Sequence, residues 1–270
     1  QVSESYRKIR NTFRFMHGNL SDFDYEKDCV DVKDMSAMNR YVLNEVNQHN
    51  AKAQNAYETY DFQRITTLIS NGLTNLMSAY YLDYTKDILY IEKEDSKMRR
   101  EIQTVLYEVA MIYSRLLAPI LPHTMEEFNR IFRPQDESIH LERFVEVKDD
   151  LLSEEEAQGF ERLFALREAV FKALEEKRAE KTIGKSLEGR VLLHLNEEDT
   201  ALVEKYLGDR LAQWLIVSKV SLVNDTLPNV FGFEVDVLRS EGETCARCWN
   251  IVDHVNDEGV CARCEHVLKG

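Results

Sequence analysis

Four of the five cysteines in the chain fall within twenty positions near its C-terminal end. They form two Cys-x-x-Cys pairs, Cys245 with Cys248 and Cys261 with Cys264, and twelve residues separate the pairs. A tight turn in each pair brings its second sulfur beside the first, so two pairs can build a closed cage of four thiolates. This ligand set is typical of a structural zinc ion and leaves no open position for catalysis. The spacing therefore predicts one structural zinc.

Two other chemistries of paired cysteines compete with zinc. Disulfides would need an oxidising compartment, and nothing else in the sequence is typical of a secreted protein. An iron–sulfur cluster prefers other spacings and usually a third close cysteine. The polar run 253–258 and Gly259 predict a hairpin between the two pairs. The paired thiols and the lone Cys29 fit a reducing compartment, so we expect a cytoplasmic protein.

The composition indicates a folded protein with long helices. Hydrophobic residues make up 44% of 270 residues, and the chain has only 10 Gly and 4 Pro, which predicts few turns. No apolar run approaches the ~18 residues that cross a bilayer, so we expect no membrane contact. The net charge of −14 argues against a general nucleic-acid coat, so any such contact must come from local basic patches. Because Gln1 is neither an initiator Met nor the start of a signal peptide, we expect a piece of a longer protein.

Hydrophobic spacing predicts five helices in the first half of the chain. Asp61 is the expected N-cap of the third helix, and Thr124 with Glu127 is the expected capping box of the fifth. Short links between the helices predict an up-and-down, antiparallel bundle. The predicted helices cover about 2–20, 34–57, 61–80, 96–118 and 124–132.

The first of these helices has a basic face. Arg7, Lys8, Arg10 and Arg14 lie opposite its apolar stripe, which gives a net charge of +3 after Glu4 is subtracted. In an otherwise acidic protein, this face is either a solvated surface or a contact with phosphates.

The pattern changes after an acidic, proline-containing linker at about 134–152. Ser153 and Glu156 form a capping box at the start of a long helix. Alternating patterns then predict three strands, at 190–195, 216–223 and 231–238, with a helical stretch over 199–214 between the first two. We therefore predict a mainly α fold. It has an antiparallel helix bundle over 1–135, a small α+β module over 150–240 and a four-cysteine zinc ribbon over 241–270.

The sequence contains no catalytic constellation that these elements would position. Glycine-rich phosphate loops, the Gly-x-Ser-x-Gly nucleophile motif and the His-Glu-x-x-His zinc motif do not occur. His254 and His266 flank the cysteine pairs, but four thiolates already fill a zinc shell. The residues thus indicate a binding role more directly than a reaction.

Several segments spread along the whole chain carry a family resemblance. They are Tyr6–Phe15, Tyr81–Tyr84, Leu117–Thr124, Ile183–Glu188 and the cysteine pairs with Trp249. Together they resemble the C-terminal part of bacterial isoleucyl-tRNA synthetases. The bundle segments also resemble the related synthetases for valine and leucine. The ribbon with its tryptophan narrows the resemblance to the synthetases for isoleucine.

This resemblance implies that the chain is an anticodon-binding region, which binds isoleucine tRNA and lacks the catalytic half of the enzyme. The family's two ATP-binding signatures and its editing domain do not occur in the sequence. ATP would therefore be used only by the full-length enzyme, and we expect this chain to be inactive alone. We further expect a monomer with no DNA partner.

The resemblance and simple chemistry together select the expected tRNA contacts. A basic helix can hold phosphates, and unstacked anticodon bases can be read by aromatic stacking and by edge contacts. Trp249 is either such a stacking plane or part of the ribbon core. Each Cys-x-x-Cys pair forms a turn, or knuckle, with an arginine inside it, and Arg247 and Arg263 either contact tRNA or neutralise the charge of the thiolates. The expected contacts are Arg7, Lys8, Arg10, Arg14, Lys185, Arg247, Trp249 and Arg263.

Two other functions compete with this interpretation. One is a DNA-repair glycosylase that carries a C-terminal zinc ribbon, which would need a catalytic N-terminal residue and a basic charge balance. Gln1 and the net charge of −14 supply neither. The other is a purely structural zinc-bearing interaction module. Binding measurements with isoleucine tRNA, other tRNAs and duplex DNA would separate all three.

Overall fold

A computed structural model describes residues 2–149, 151–223 and 234–269. The chain divides into two compact units. The first unit comprises residues 1–89 and 93–153, and the second comprises residues 90–92 and 154–270.

The first unit is built from helices joined by short links. Asp61 accepts a hydrogen bond from the backbone N–H of Arg64 and caps the helix that begins at Phe62, which corresponds to the third predicted helix. A π-helical segment, Gly72–Tyr81, continues that helix directly into the next. The helices are α1 (Val2–Gly18), α2 (Tyr25–Asp28), α3 (Ala37–Glu58), α4 (Phe62–Asn71), α5 (Leu82–Ile91), α6 (Lys97–Leu117) and α7 (Pro122–Phe132).

The core of the first unit lies around α6, which packs against α3 and is buried along most of its length. A hydrogen-bond distance of 2.9 Å joins the Tyr113 hydroxyl of α6 to Nδ1 of His49 on α3. The π-helical segment reaches this pair through Gly72, where an added Cβ would lie 2.0 Å from the Tyr113 hydroxyl oxygen. Only glycine permits this close approach.

The capping box predicted for the fifth helix is wrong. The helix begins at Pro122, which suits a first helical position because the missing N–H has no partner there anyway. The Thr124 hydroxyl lies 3.1 Å from the Tyr6 hydroxyl, and the Glu127 carboxylate binds the Arg10 guanidinium. Contacts with α1 therefore take both side chains that the box would use.

The second unit contains a small mixed sheet covered by a long helix, α8 (Glu154–Ala179). The central strand, β1 (Gly189–His194), pairs in parallel with β2 (Lys219–Val223) and antiparallel with β3 (Glu234–Arg239). Val191 lies opposite Val220 on one side and opposite Val237 on the other. The predicted strands thus occur with shifted ends, and residues 231–233 of the third prediction lie outside the described residues.

The predicted helical stretch over 199–214 is two helices rather than one. α9 (Glu197–Tyr206) and α10 (Leu211–Trp214) are separated at Gly208, whose φ of +53° belongs to the left-handed region. At the end of α10 the Trp214 ring lies in the core, where the residue is 1% exposed and packs edge-on against Phe164 with ring centroids 5.8 Å apart.

The end of the second unit forms a ribbon around the cysteines. A hairpin of β4 (Glu243–Thr244) and β5 (Ile251–Val252) encloses the first cysteine pair. The second pair stands at the start of α11 (Ala262–Lys269), a helix that the sequence patterns did not predict. Between the pairs, Gly259 N–H donates to the Asn256 carbonyl at 2.8 Å and Asn256 N–H donates to the Val260 carbonyl at 3.0 Å. With Gly259 in the left-handed region at a φ of +74°, these bonds form the hairpin turn that the sequence predicts.

The predicted fold class is confirmed: the protein is mainly α, with a helical bundle, a small α+β module and a four-cysteine ribbon. The exact division into three domains stays a prediction. Within the described residues, every helix is too short or too polar to span a bilayer.

Candidate metal centre and nucleic-acid interface

The four ribbon cysteines converge on one point. Their Sγ atoms all lie within 4.8 Å of one another and all four residues are buried. The Sγ atoms of Cys248 and Cys261 are 3.7 Å apart. Zinc–sulfur bonds of ~2.3 Å in a tetrahedron give sulfur–sulfur edges of about 3.8 Å. The separation of Cys248 and Cys261 matches this edge, and the upper limit of 4.8 Å exceeds it by about 1 Å. None of the five cysteines, all of which lie in the described part of the chain, forms a disulfide.

Backbone hydrogen bonds shape both halves of the cage. In the first knuckle, the Trp249 N–H donates to the Cys245 carbonyl at 2.9 Å and closes the turn. The Cys261 N–H donates to the Cys245 sulfur at 3.3 Å and ties the second pair to the first. α11 begins beside Cys261, so Cys264 returns one helical turn later on the same side.

The thiols of the cage differ in acidity. Burial raises the pKa of Cys245, but N–H groups of Cys248, Cys261 and Arg247 stabilise its thiolate and bring the pKa down to about 6. Burial and neighbouring sulfurs raise the pKa of Cys264, and burial raises that of Cys248. The cage thus offers one ready thiolate beside thiols that resist ionisation unless a cation joins them. This donor set fits a thiolate-binding metal ion.

Both arginines inside the knuckles have partners within the second unit. Arg247 donates to the Ile91 carbonyl at 2.8 Å, and Ile91 packs in the same buried cluster as the four cysteines. Arg263 binds a carboxylate oxygen of Glu92 through two N–H groups, at 2.8 and 3.0 Å. Sequence reasoning missed Ile91 and Glu92, because no local pattern links them to cysteines more than 150 residues away.

Trp249 lies outside the ribbon core. Its side chain is 69% exposed, whereas the core consists of the four cysteines, Ile91 and Val260. Its φ of +63° is uncommon for a residue other than glycine and places the ring directly after a cage cysteine. The ribbon thus presents a large aromatic plane to solvent from a hydrogen-bonded turn.

The basic residues of α1 fall into two classes. Arg10 is bound by Glu127 through two hydrogen bonds of 2.7 and 2.8 Å, and Lys8 pairs with Glu4 at 3.4 Å. Arg7 and Arg14 are exposed and make no ion pair with any other described residue. They are seven positions apart, which is about two helical turns, so both lie on one face.

Lys185 lies at the N-terminal flank of a short 3₁₀ turn in the second unit, Ser186–Glu188. Its side chain is exposed and has no ion-pair partner in the described part of the chain. The position leaves its ammonium available to an anion from outside.

The family described as the anticodon-binding domain of tRNA ligases matches this chain over residues 39–193. Because that match covers more than half of the chain, the protein belongs to this family. Its relatives include isoleucine–tRNA ligases of Staphylococcus epidermidis, Petrotoga mobilis and Thermotoga petrophila, at 41%, 38% and 40% identity. Each alignment covers 100% of this chain and 30% of the relative.

The chain therefore spans about 30% of the length of these curated relatives. The resemblance to isoleucine–tRNA ligases, inferred from the sequence, is confirmed. The glycosylase and structural-module alternatives find no support in these relatives.

Proposed function

We propose that the chain is the anticodon-recognising, tRNA-binding region of an isoleucine–tRNA ligase. The observation that carries this proposal is the family match over residues 39–193, within an alignment to isoleucine–tRNA ligases that covers the whole chain. The longer protein would join isoleucine to its tRNA with ATP. The present chain would act as a monomer in the cytoplasm and supply the grip on the tRNA.

The geometry supports a division of labour among the expected contacts. Arg7, Arg14 and Lys185 are exposed cations without described partners, so they are placed to hold phosphates. Trp249 offers an exposed ring for stacking on an unpaired base. The other four expected contacts already have partners in the protein: Lys8, Arg10, Arg247 and Arg263. They would contact tRNA either while they keep these ion pairs and hydrogen bonds or after they give them up.

The four ribbon cysteines would hold one structural zinc ion. The metal would neutralise the thiolates and fix the turn that carries Trp249. The cysteines would fill the coordination shell, so the ion would have no position for a reacting group. The role of the zinc would be to orient a recognition surface.

Filter binding to isoleucine tRNA, a tRNA of another specificity and duplex DNA tests this function. We expect the order of affinity to be isoleucine tRNA, then the other tRNA, then duplex DNA. Equal affinity for both tRNAs would contradict anticodon recognition, and preference for DNA would contradict the function altogether. In a preparation free of full-length enzyme, we also expect no isoleucine-dependent exchange between ATP and pyrophosphate.

A further inference from the structure

One serine of the second unit connects two segments that carry expected tRNA contacts. Ser218 is half-buried and stands directly before β2. Its hydroxyl donates to the Leu187 carbonyl at 2.6 Å and accepts a hydrogen bond from the Ile251 N–H at 2.7 Å. Lys185 precedes the 3₁₀ turn that contains Leu187. Ile251 begins β5 and follows Trp249 by two positions. A single hydroxyl group therefore joins the Lys185 turn to the strand that leaves the Trp249 turn.

The backbone that leads into Ser218 is held in one conformation. After α10, the N–H of Ile216 donates to the Gln213 carbonyl and the N–H of Val217 donates to the Ala212 carbonyl, both at 3.0 Å. Ile216 has a φ of +56°, in the left-handed region that a β-branched residue rarely adopts. Such a backbone persists only where the surrounding structure determines it. The position of Ser218 is therefore fixed from the side of α10.

The turn that follows Lys185 is anchored as well. The Glu188 carboxylate accepts a hydrogen bond from the Gly184 N–H at 2.8 Å and closes the turn. Arg178 of α8 donates to the Ser186 hydroxyl at 2.8 Å and ties the turn to the long helix. Ser218 thus binds the ribbon strand to a segment that is itself held in place.

The two hydrogen bonds of Ser218 limit the separation of the expected contacts. Leu187 lies two residues after Lys185, and Ile251 lies two residues after Trp249. Because an extended chain rises by at most ~3.6 Å per residue, the backbones of Lys185 and Trp249 stay within about 25 Å of each other while both bonds persist. The cation and the aromatic ring therefore belong to one local surface.

A second contact between the sheet and the ribbon is more exposed. Lys219 binds the Asp253 carboxylate and donates to the Glu241 carbonyl at 3.3 Å. The Asp253 side chain is 92% exposed, and ion pairs as exposed as this contribute little because water screens them. Loss of the half-buried Ser218 hydroxyl would instead remove the partner of both an N–H and a carbonyl group. We therefore expect Ser218, more than Lys219, to hold the ribbon on the sheet.

We propose that Ser218 is a positioning residue for tRNA recognition. It holds the Trp249 turn at a fixed place relative to Lys185, so that one RNA strand meets the ring and the ammonium group together. That the strand belongs to tRNA rests on the proposed function, whereas the fixed geometry rests on the Ser218 hydrogen bonds. Because the effect acts through the ring, loss of the hydroxyl lowers the preference for isoleucine tRNA only while Trp249 is present.

The first test is filter binding of zinc-loaded Ser218→Ala, with Ser218→Thr as the matched control that keeps the hydroxyl. Ser218→Ala should weaken binding to isoleucine tRNA by about 3- to 10-fold, at the low end of the range for coupled neighbours, and weaken binding to a tRNA of another specificity less. In a Trp249→Ala background the same change should have almost no further effect. Ser218→Thr should bind as wild type does. Metal analysis and thermal melting establish that each variant is folded and holds zinc.

A second measurement needs no RNA. The chain carries 5-fluorotryptophan, and a spin label is attached through Lys185→Cys in a zinc-loaded Cys29→Ser background. Trp249→Phe assigns the fluorine resonance of the exposed ring. With Ser218 present, the label should enhance the relaxation of this resonance to a defined extent. Ser218→Ala should change the enhancement, and Ser218→Thr should restore it.

A folded Ser218→Ala protein that keeps either the wild-type tRNA preference or the wild-type relaxation enhancement would overturn the inference and leave the proposed function intact. Equal weakening for both tRNAs, or a full effect without Trp249, would also overturn it, because a general structural role has that result. If the wild-type chain prefers no tRNA, the proposed function fails, and the relaxation enhancement alone decides whether Ser218 positions the ring. Should Ser218→Ala unfold, Ser218→Cys takes its place in the binding test, since a thiol is a weak hydrogen-bonding group.

Discussion

The basic helix α1 and the four-cysteine ribbon both carry residues expected to touch RNA, but the fold leaves different groups free in each. On α1, two of four cations have acidic partners and two, Arg7 and Arg14, have none among the described residues. In the ribbon both arginines are engaged, and the free group is the ring of Trp249. The helix thus offers positive charges, which bind phosphates whatever the RNA sequence. The ribbon offers an aromatic surface on which a base can stack. This comparison predicts that the two regions contribute separately to affinity and to specificity.

The largest expected effect is the loss of the metal cage. Cys245→Ser should abolish metal binding and unfold residues 240–268, because a structural zinc contributes ~10–16 kcal/mol to the folding of such ribbons. Cys29→Ser is the matched control, since this thiol is exposed and lies outside the cage. Metal analysis and circular dichroism should show one zinc and an intact spectrum for the control, and no zinc with a largely retained helical signal for Cys245→Ser. Iron, or two metal atoms per wild-type chain, would refute the assignment.

Metal affinity should fall as the pH falls. Zinc binds thiolates, and the raised pKa values of Cys248 and Cys264 mean that protons must leave these thiols for the metal to enter. The lowered pKa of Cys245, about 6, means that its thiolate is present above that value and is lost as the pH falls through it. Competition with a chelator between pH 8 and pH 5 should show a steepening loss of affinity below about 6. An affinity independent of pH would show that thiolates are not the ligands.

The two tryptophans should behave in opposite ways. Trp249→Ala should weaken binding to isoleucine tRNA by about 1–3 kcal/mol and leave melting unchanged, because the ring is exposed. Trp214→Ala should cost ~3–5 kcal/mol of stability, because the ring fills the core of the second unit. Filter binding and thermal unfolding of both variants measure the difference. A Trp249→Ala protein that keeps its zinc and its full preference for isoleucine tRNA would end the stacking hypothesis.

A smaller effect should separate the two classes of cation on α1. Arg7→Ala with Arg14→Ala should weaken binding to every tRNA and lower the slope of log affinity against log salt by about 1.5, because each neutralised phosphate contributes roughly 0.7–0.9 to that slope. Lys8→Ala with Arg10→Ala removes the same charge from side chains that already have acidic partners, so its slope should change less. Salt titrations of both double variants test this. Equal salt slopes for the two double variants would mean that RNA displaces Glu4 and Glu127 from Lys8 and Arg10.

Much of the fold was predictable because it follows from local sequence patterns. The cysteine spacing predicts the cage, and the hydrophobic periods locate the long helices and the strands to within a few residues. The π-helical segment was not predictable from local patterns, and its first residue, Gly72, lies against Tyr113 and His49 of other helices. The capping-box prediction failed because Arg10 reaches Glu127 across 117 positions.

The types of the candidate site residues were predictable, but which of those side chains are free to bind a ligand was not. The sequence identifies the basic residues of α1 and of the knuckles, yet it cannot tell which of them will have acidic or carbonyl partners. Ile91 is the last residue of α5 and Glu92 follows it. Ile91 packs in the cluster of the ribbon cysteines, and Glu92 binds Arg263. Pairing of this kind depends on the tertiary fold, so the separation of Arg7 and Arg14 from Lys8 and Arg10 needed the structure.

The central claim is that this chain recognises the anticodon of isoleucine tRNA. Its most direct test exchanges only the anticodon triplet of isoleucine tRNA for that of another specificity and measures binding of the zinc-loaded chain at fixed salt. The account predicts that the exchange weakens binding of the wild-type chain and has little further effect on Trp249→Ala. Undiminished binding of the wild-type chain to the exchanged tRNA would contradict the account.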